Sequence, residues 1–233
     1  MTDKNRILYL LPGLLCDDSV WRHQCENLSD VLDVRVANFK GFDSLTAMAQ
    51  SILEQTSAAF YLAGHSMGGR VALEVMNLAP ERVSKLALLD TGVHPRQDGE
   101  SKKRQALIDL ARDKGMAALA ESWARPMLHP SRQQGALMDE ICAMVCRYSL
   151  AEYEGQIKAL LNRPDARPYL ANIACETLVM AGREDTWSPP EQHQEFAALI
   201  PRAQLSIIEN CGHMATMEQP EIVTEALRRW FTE

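Results

Sequence analysis

The feature that most constrains this chain is the run Tyr61-Leu62-Ala63-Gly64-His65-Ser66-Met67-Gly68-Gly69-Arg70. Residues 60–63 are apolar and few, as in a short strand buried on both faces. Residues 71–76, Val-Ala-Leu-Glu-Val-Met, read as a helix beginning just beyond. Between them stands Gly64-x-Ser66-x-Gly68. A serine on so sharp a strand-to-helix turn adopts a strained backbone, and a side chain two positions to either side would strike the strand or the helix, so glycines serve there. The start of the helix also turns free N–H groups toward the serine, where negative charge can be stabilised. The bare pattern fits an ordinary glycine-rich turn with a solvent-facing serine as well. What favours a nucleophile is the context of strand before and helix after.

The rest of the chain supplies a frame for such a turn. Residues 6–11, Arg-Ile-Leu-Tyr-Leu-Leu, form a near-continuous apolar strand that runs into Pro12-Gly13-Leu14. A second strand is predicted over 31–37, and a helix capped by Ser44 runs to 55 with Leu45, Met48, Ile52 and Leu53 on one side. The helix after the turn ends near Ala79-Pro80, and 85–90 reads as another buried strand. From 96 to 172 the pattern is helical only, over 105–112, 116–124, 136–148 and 151–161, punctuated by prolines 126, 130, 164 and 168. Strand 177–182, helix 189–199, strand 204–208 and helix 220–231 then complete the alternation. The expected class is α/β, a mostly parallel central sheet with helices on both faces, with residues 1–95 and 173–233 as core and 96–172 as a helical cap.

Bulk properties narrow the function. A length of 233 residues allows one large α/β domain or two small ones, and an apolar fraction of 46% is ordinary for a folded, water-soluble protein. The net charge of −7 argues against general nucleic-acid binding. No apolar run is long enough to span a membrane, and the opening residues lead into an apolar run too short for a signal peptide, so the expected location is cytoplasmic. The cysteines at 16, 25, 142, 146, 175 and 211 show no C-x-x-C and are expected as free thiols. Cys142 and Cys146 share a helix face and are expected as buried small apolar residues rather than a metal pair. The segment 96–172 carries 12 Lys+Arg against 10 Asp+Glu, whereas the remainder carries 12 against 21.

A serine nucleophile needs a base, and the base an orienting carboxylate. On a turn of this kind the three follow in the order Ser, Asp/Glu, His. The loop after strand 177–182 offers Gly182-Arg183-Glu184-Asp185, and the loop after strand 204–208 offers Gly212-His213. Both leave the carboxyl ends of parallel strands, where such sheets place their sites. Asp185 has rivals in Glu184, expected to be solvated, and in Asp90, at the end of an earlier strand.

With these motifs in order, the chain resembles the α/β-hydrolase superfamily, and within it the small-cap branch of esterases, enol-lactonases and related ring- or carbon–carbon-cleaving enzymes. The resemblance covers essentially the whole chain. It implies Ser66 as nucleophile, His213 as base and then acid, Asp185 as orienter, and the backbone N–H groups of Leu14 and Met67 as the oxyanion hole. It implies a small-molecule acyl substrate and neither metal nor organic cofactor, and it leaves the oligomeric state open between monomer and dimer. The expected activity is serine hydrolysis of carboxylic esters or thioesters through an acyl-enzyme. Alternatives on the same residues are a lactonase and a carbon–carbon hydrolase or lyase; a catalytically silent ligand-binding module is the alternative of another class. Two motifs depart from many relatives: Pro12-Gly13 stands where they have His-Gly, and residues 38–43 are a short loop where they carry Asp-x-Arg-Gly-His-Gly.

Four further residues are candidates for substrate contact: Trp21, His94, Trp123 and Trp187. Against each stands ordinary packing or a plain loop position. His65 adjoins Ser66 and reads as a packing residue. Arg70 and the basic residues of 96–172 read as solvated surface, with recruitment of an anionic substrate or acyl carrier as the alternative.

Overall fold

The computed structural model describes residues 6–233; the first residues of the charged opening, on which the signal-peptide reading rests, lie outside them. Six strands form the sheet: β1 (Ile7–Leu11), β2 (Asp33–Val36), β3 (Phe60–His65), β4 (Val83–Leu89), β5 (Glu176–Gly182) and β6 (Ala203–Ile208). All pair in parallel, in the order β2-β1-β3-β4-β5-β6. The central strands are apolar along their length because both of their faces are covered. β6 is the half-exposed edge and is correspondingly more polar.

The helices are α1 (Arg22–Leu28), α2 (Leu45–Leu53), α3 (Met67–Leu78), α4 (Glu100–Ala124), α5 (Ala136–Val145), α6 (Leu150–Leu161), α7 (Pro190–Ala197), α8 (Ala215–Glu218) and α9 (Pro220–Thr232). The chain leaves β1 in one direction for β2 and returns past it to β3. Right-handed crossovers in opposite directions place helices on opposite faces. α2 packs beside α3, and α1 beside α9. Ser44 caps α2, its hydroxyl accepting from the Ala47 amide at 3.4 Å, as the sequence predicts.

Two helices, α1 and α8, lie outside the sequence expectation. α1 has too short an apolar repeat to stand out, and it forms because Leu28 and Gln24 are buried against the core. The predicted helices 105–112 and 116–124 are found as two helical stretches within α4, divided at a kink by Gly115, whose φ of 84° and ψ of 169° only glycine adopts without strain. α8 is a single turn directly after His213. All six cysteines are free thiols, but the expected buried pair is not found: Cys142 is half-buried and Cys146, at the end of α5, is exposed. Among the described residues no helix is long and apolar enough to cross a membrane.

The reversal of chain direction lies between β1 and β3, and it puts the Gly13-Leu14 turn beside the Ser66 turn. The loops carrying Asp90, Asp185 and His213 leave the same carboxyl edge from β4, β5 and β6. Crevices of open α/β sheets form where the strand order reverses, outside the carboxyl ends.

Candidate active site

Ser66 joins β3 to α3 with φ 54° and ψ −114°, a conformation a non-glycine residue holds only when its surroundings enforce it. The enforcement is visible on both sides. A Cβ at Gly64 would run into the backbone of Gly68, and one at Gly68 into the Leu11 and Pro12 carbonyls. The Ser66 amide is held by the Leu89 carbonyl at 2.9 Å, and its carbonyl accepts from the Thr91 hydroxyl at 2.7 Å.

The side chains predicted to act together meet. Ser66 Oγ lies 2.8 Å from His213 Nε2, and His213 Nδ1 lies 2.7 Å from Asp185 Oδ2. The other Asp185 oxygen accepts from the amides of Trp187 at 2.8 Å and Ser188 at 2.9 Å, which fixes the carboxylate before the imidazole reaches it. Burial disfavours a charged His213, but the adjacent Asp185 outweighs it and raises the imidazole above its ordinary pKa. Burial likewise works against an ionised Asp185. His213 and the two amides overcome it and hold the carboxyl below its usual value.

Asp90 occupies a different place. It is fully buried, accepts from the Gly182 amide at 2.9 Å and the Ala215 amide at 3.2 Å, and does not hydrogen-bond His213. Burial and the nearby Asp185 push its carboxyl well above the usual range. It therefore stitches the end of β5 to the start of α8. Glu184 is not the solvated neighbour expected: it is half-buried, and its carboxylate accepts from the Cys211 amide at 2.9 Å.

The loop bearing His213 is braced by residues that no motif announces. Glu218, buried on α8, accepts from the amides of Gly212 at 2.9 Å, Met214 at 3.3 Å and His129 at 2.8 Å. The His213 amide donates to the Met127 carbonyl at 2.6 Å, and its carbonyl lies 2.7 Å from His65 Nε2. Burial beside His213 pulls His65 down to about 4, so it is neutral and donates that hydrogen bond. On the opposite side, the Leu15 amide donates to Gln156 Oε1 at 2.9 Å and the Tyr148 hydroxyl to the Cys16 carbonyl at 2.6 Å. The turn bearing Leu14 is thereby fastened to α6 and to the short connection between α5 and α6. Met67 opens α3, so its N–H has no carbonyl one turn earlier to bond.

A cavity of about 630 Å³ opens over Ser66. Leu14, Met67, His94, Trp123 and Trp187 line it, as does Arg70, which is half-buried rather than solvated surface. Trp187 lies 5.9 Å from the His213 ring and 5.9 Å, edge-on, from Trp123. Trp21 does not line the cavity. It is fully buried beneath the site, 6.4 Å edge-on from His65, because the turn after Leu15 folds it inward. Among the described residues no cluster of metal-ligating side chains occurs.

The chain is similar to known proteins over most of its length. The Alpha/beta hydrolase family matches residues 8–226, and the chain belongs to that family. It is 25% identical over 232 residues to the pimeloyl-[acyl-carrier protein] methyl ester esterase of Nitrosomonas europaea, covering 92% of this chain and 91% of the relative. Among solved structures, a thermophilic esterase from Thermogutta terrifontis superposes with a TM-score of 0.87 at 28% identity, covering 97% of this chain and 89% of the other. The enol-lactonase from Burkholderia xenovorans LB400 superposes with a TM-score of 0.88 at 21% identity over 98% and 92% of the two chains, a likeness of fold.

Proposed function

We propose that this protein hydrolyses carboxylic esters or thioesters through a covalent acyl-enzyme, with Ser66 as nucleophile, His213 as proton carrier and Asp185 as its orienter. The observation that carries the reading is the unbroken chain from Ser66 Oγ through His213 to Asp185, with contacts of 2.8 and 2.7 Å, on a serine whose backbone is held strained. Ser66 Oγ attacks the substrate carbonyl while its proton passes to His213 Nε2. Asp185 keeps the Nδ1–H directed toward itself and stabilises the imidazolium that forms. The Leu14 and Met67 amides receive the oxyanion, and a single donor of this kind is worth about 10²–10³ in rate. His213 then protonates the departing alcohol or thiol. Water, deprotonated by the same nitrogen, attacks the acyl-enzyme and releases the acid.

The named relatives support the ester reading: one is an esterase of a methyl ester, another a thermophilic esterase. A lactone is an internal ester and would follow the same steps. The test combines a fluorophosphonate that labels activated serines with turnover of short 4-nitrophenyl esters. Wild type is labelled and active; Ser66→Ala is neither. Undiminished turnover by a folded Ser66→Ala protein would refute the mechanism.

A further inference from the structure

The cavity over Ser66 is basic within an acidic protein. Arg70, Lys103, Arg104, Arg163 and Arg167 line it, against Asp98 and Glu100. Most of these cations are already spoken for. Arg163 is tied to both Glu100 oxygens at 2.7 Å and to the carbonyls of His94, Pro95 and Leu160. Arg104 donates to Glu100 at 2.8 Å, and Arg167 to Asp165 at 2.6 and 2.8 Å. Arg70 differs. Its Nη1 donates to the His94 carbonyl at 2.9 Å, and among the described residues it has no carboxylate partner. Burial, with Arg163 nearby, pulls its guanidinium down to about 9. Glu100 acts on it only at a distance, its two oxygens bonded to Arg163 and Arg104, and a cation withdrawn from water and hydrogen-bonded only to a carbonyl is costly unless a ligand supplies a closer counter-charge.

The site is also shaped around this guanidinium. A Cβ at Gly92 would collide with Arg70 Nη2, so the glycine leaves the room the group occupies. Arg70 follows Ser66 by four residues, one helical turn along α3, and both line the same 630 Å³ cavity. One small acyl chain can therefore reach both. We propose that Arg70 binds a carboxylate carried on the acyl portion of the substrate, so that the preferred substrates are half-esters of short dicarboxylic acids. This rests on the ester-hydrolase reading above. The planar guanidinium fork matches a carboxylate in two hydrogen bonds, and bridging Arg70 and Ser66 would orient the ester carbonyl against the nucleophile.

The experiment compares kcat/KM for monomethyl adipate and methyl hexanoate, which share the chain length and differ in the terminal charge. Wild type is expected to prefer the half-ester by about tenfold or more, and Arg70→Met to lower that ratio by about 10–100-fold, the scale of a charged hydrogen-bonded pair. Gly92→Ala, which displaces the guanidinium without removing it, lowers the ratio in the same sense. Lys102→Met removes an exposed charge outside the cavity and keeps the ratio. Free adipate inhibits wild type more strongly than inorganic phosphate does. A wild-type ratio at or below one, a ratio that survives Arg70→Met, or stronger inhibition by phosphate would each overturn the proposal. If methyl hexanoate is turned over with dependence on Ser66 but the ratio is one, the anion site alone fails. If neither ester is turned over and no fluorophosphonate label appears, the ester reading itself fails.

Discussion

At the carboxyl edge of the sheet, each buried carboxylate has its partners inside the chain. Asp185 holds His213 and two amides, Asp90 two amides, and Glu218 three. The cavity wall above that edge is different. There Arg163 makes five hydrogen bonds while Arg70, lining the same space, makes one and, among the described residues, hydrogen-bonds no carboxylate. The edge is closed because its task is fixed geometry, and a charge left unpaired there would disturb the proton path. The wall is left incomplete where something from outside must complete it.

Removing the nucleophile is the sharpest way to break this contrast. Ser66→Ala should lower kcat by about 10⁴-fold or more with the melting temperature nearly unchanged, because the loss is chemical. Next come the two edge carboxylates. Asp185→Asn should cost about 10³–10⁴-fold in kcat, since an amide favours the wrong imidazole tautomer. Asp90→Asn should cost less than about tenfold and instead lower the melting temperature, as it leaves one of two buried amides poorly paired. The reverse pattern would transfer the orienting role to Asp90.

Glu218→Gln tests whether the edge acts through its bracing. All three amides lose a charged acceptor and at least one faces an NH2 donor instead, and kcat should fall about tenfold while KM hardly moves. A rise in KM with unchanged kcat would contradict a positioning role. The pH profile probes the same loop. His213 acts as base only when neutral, and its pKa lies above the ordinary 6.5. The acid limb of kcat/KM should therefore fall above pH 6.5, with activity lost as pH drops through it. An acid limb near pH 5 would contradict the influence of Asp185. The smallest effect belongs to the helices above. Gly115→Ala places a side chain at φ 84°, and should destabilise by about 1–3 kcal/mol in a denaturant titration while kcat/KM stays within about threefold.

The fold was largely legible in the sequence because both faces of the parallel sheet are covered. Its strands therefore read as uninterrupted apolar runs such as residues 60–63 and 177–182, and the turns between them carry their own chemistry. Ser66 and Asp185 were legible for the same reason, each three residues past such a run, and His213 because it follows the last strand by five residues. Glu218, Gln156 and Arg163 were not. Their partners include backbone groups 6 to 141 residues away, and no local motif records a hydrogen bond of that kind. Trp21 shows the converse: an aromatic near the site in sequence that the turn buries beneath it.

What the chain determined by itself is the order of strands, the strained turn at Ser66 and the type and order of the groups facing it, because these depend on local sterics and hydrophobic patterning. Which acid meets His213, which arginine is saturated and which is left facing the cavity were decided only by tertiary structure. Those outcomes rest on competition among charges brought together from β4, β5, α3, α4 and α6, and the energy of a buried charge is set by whatever surrounds it.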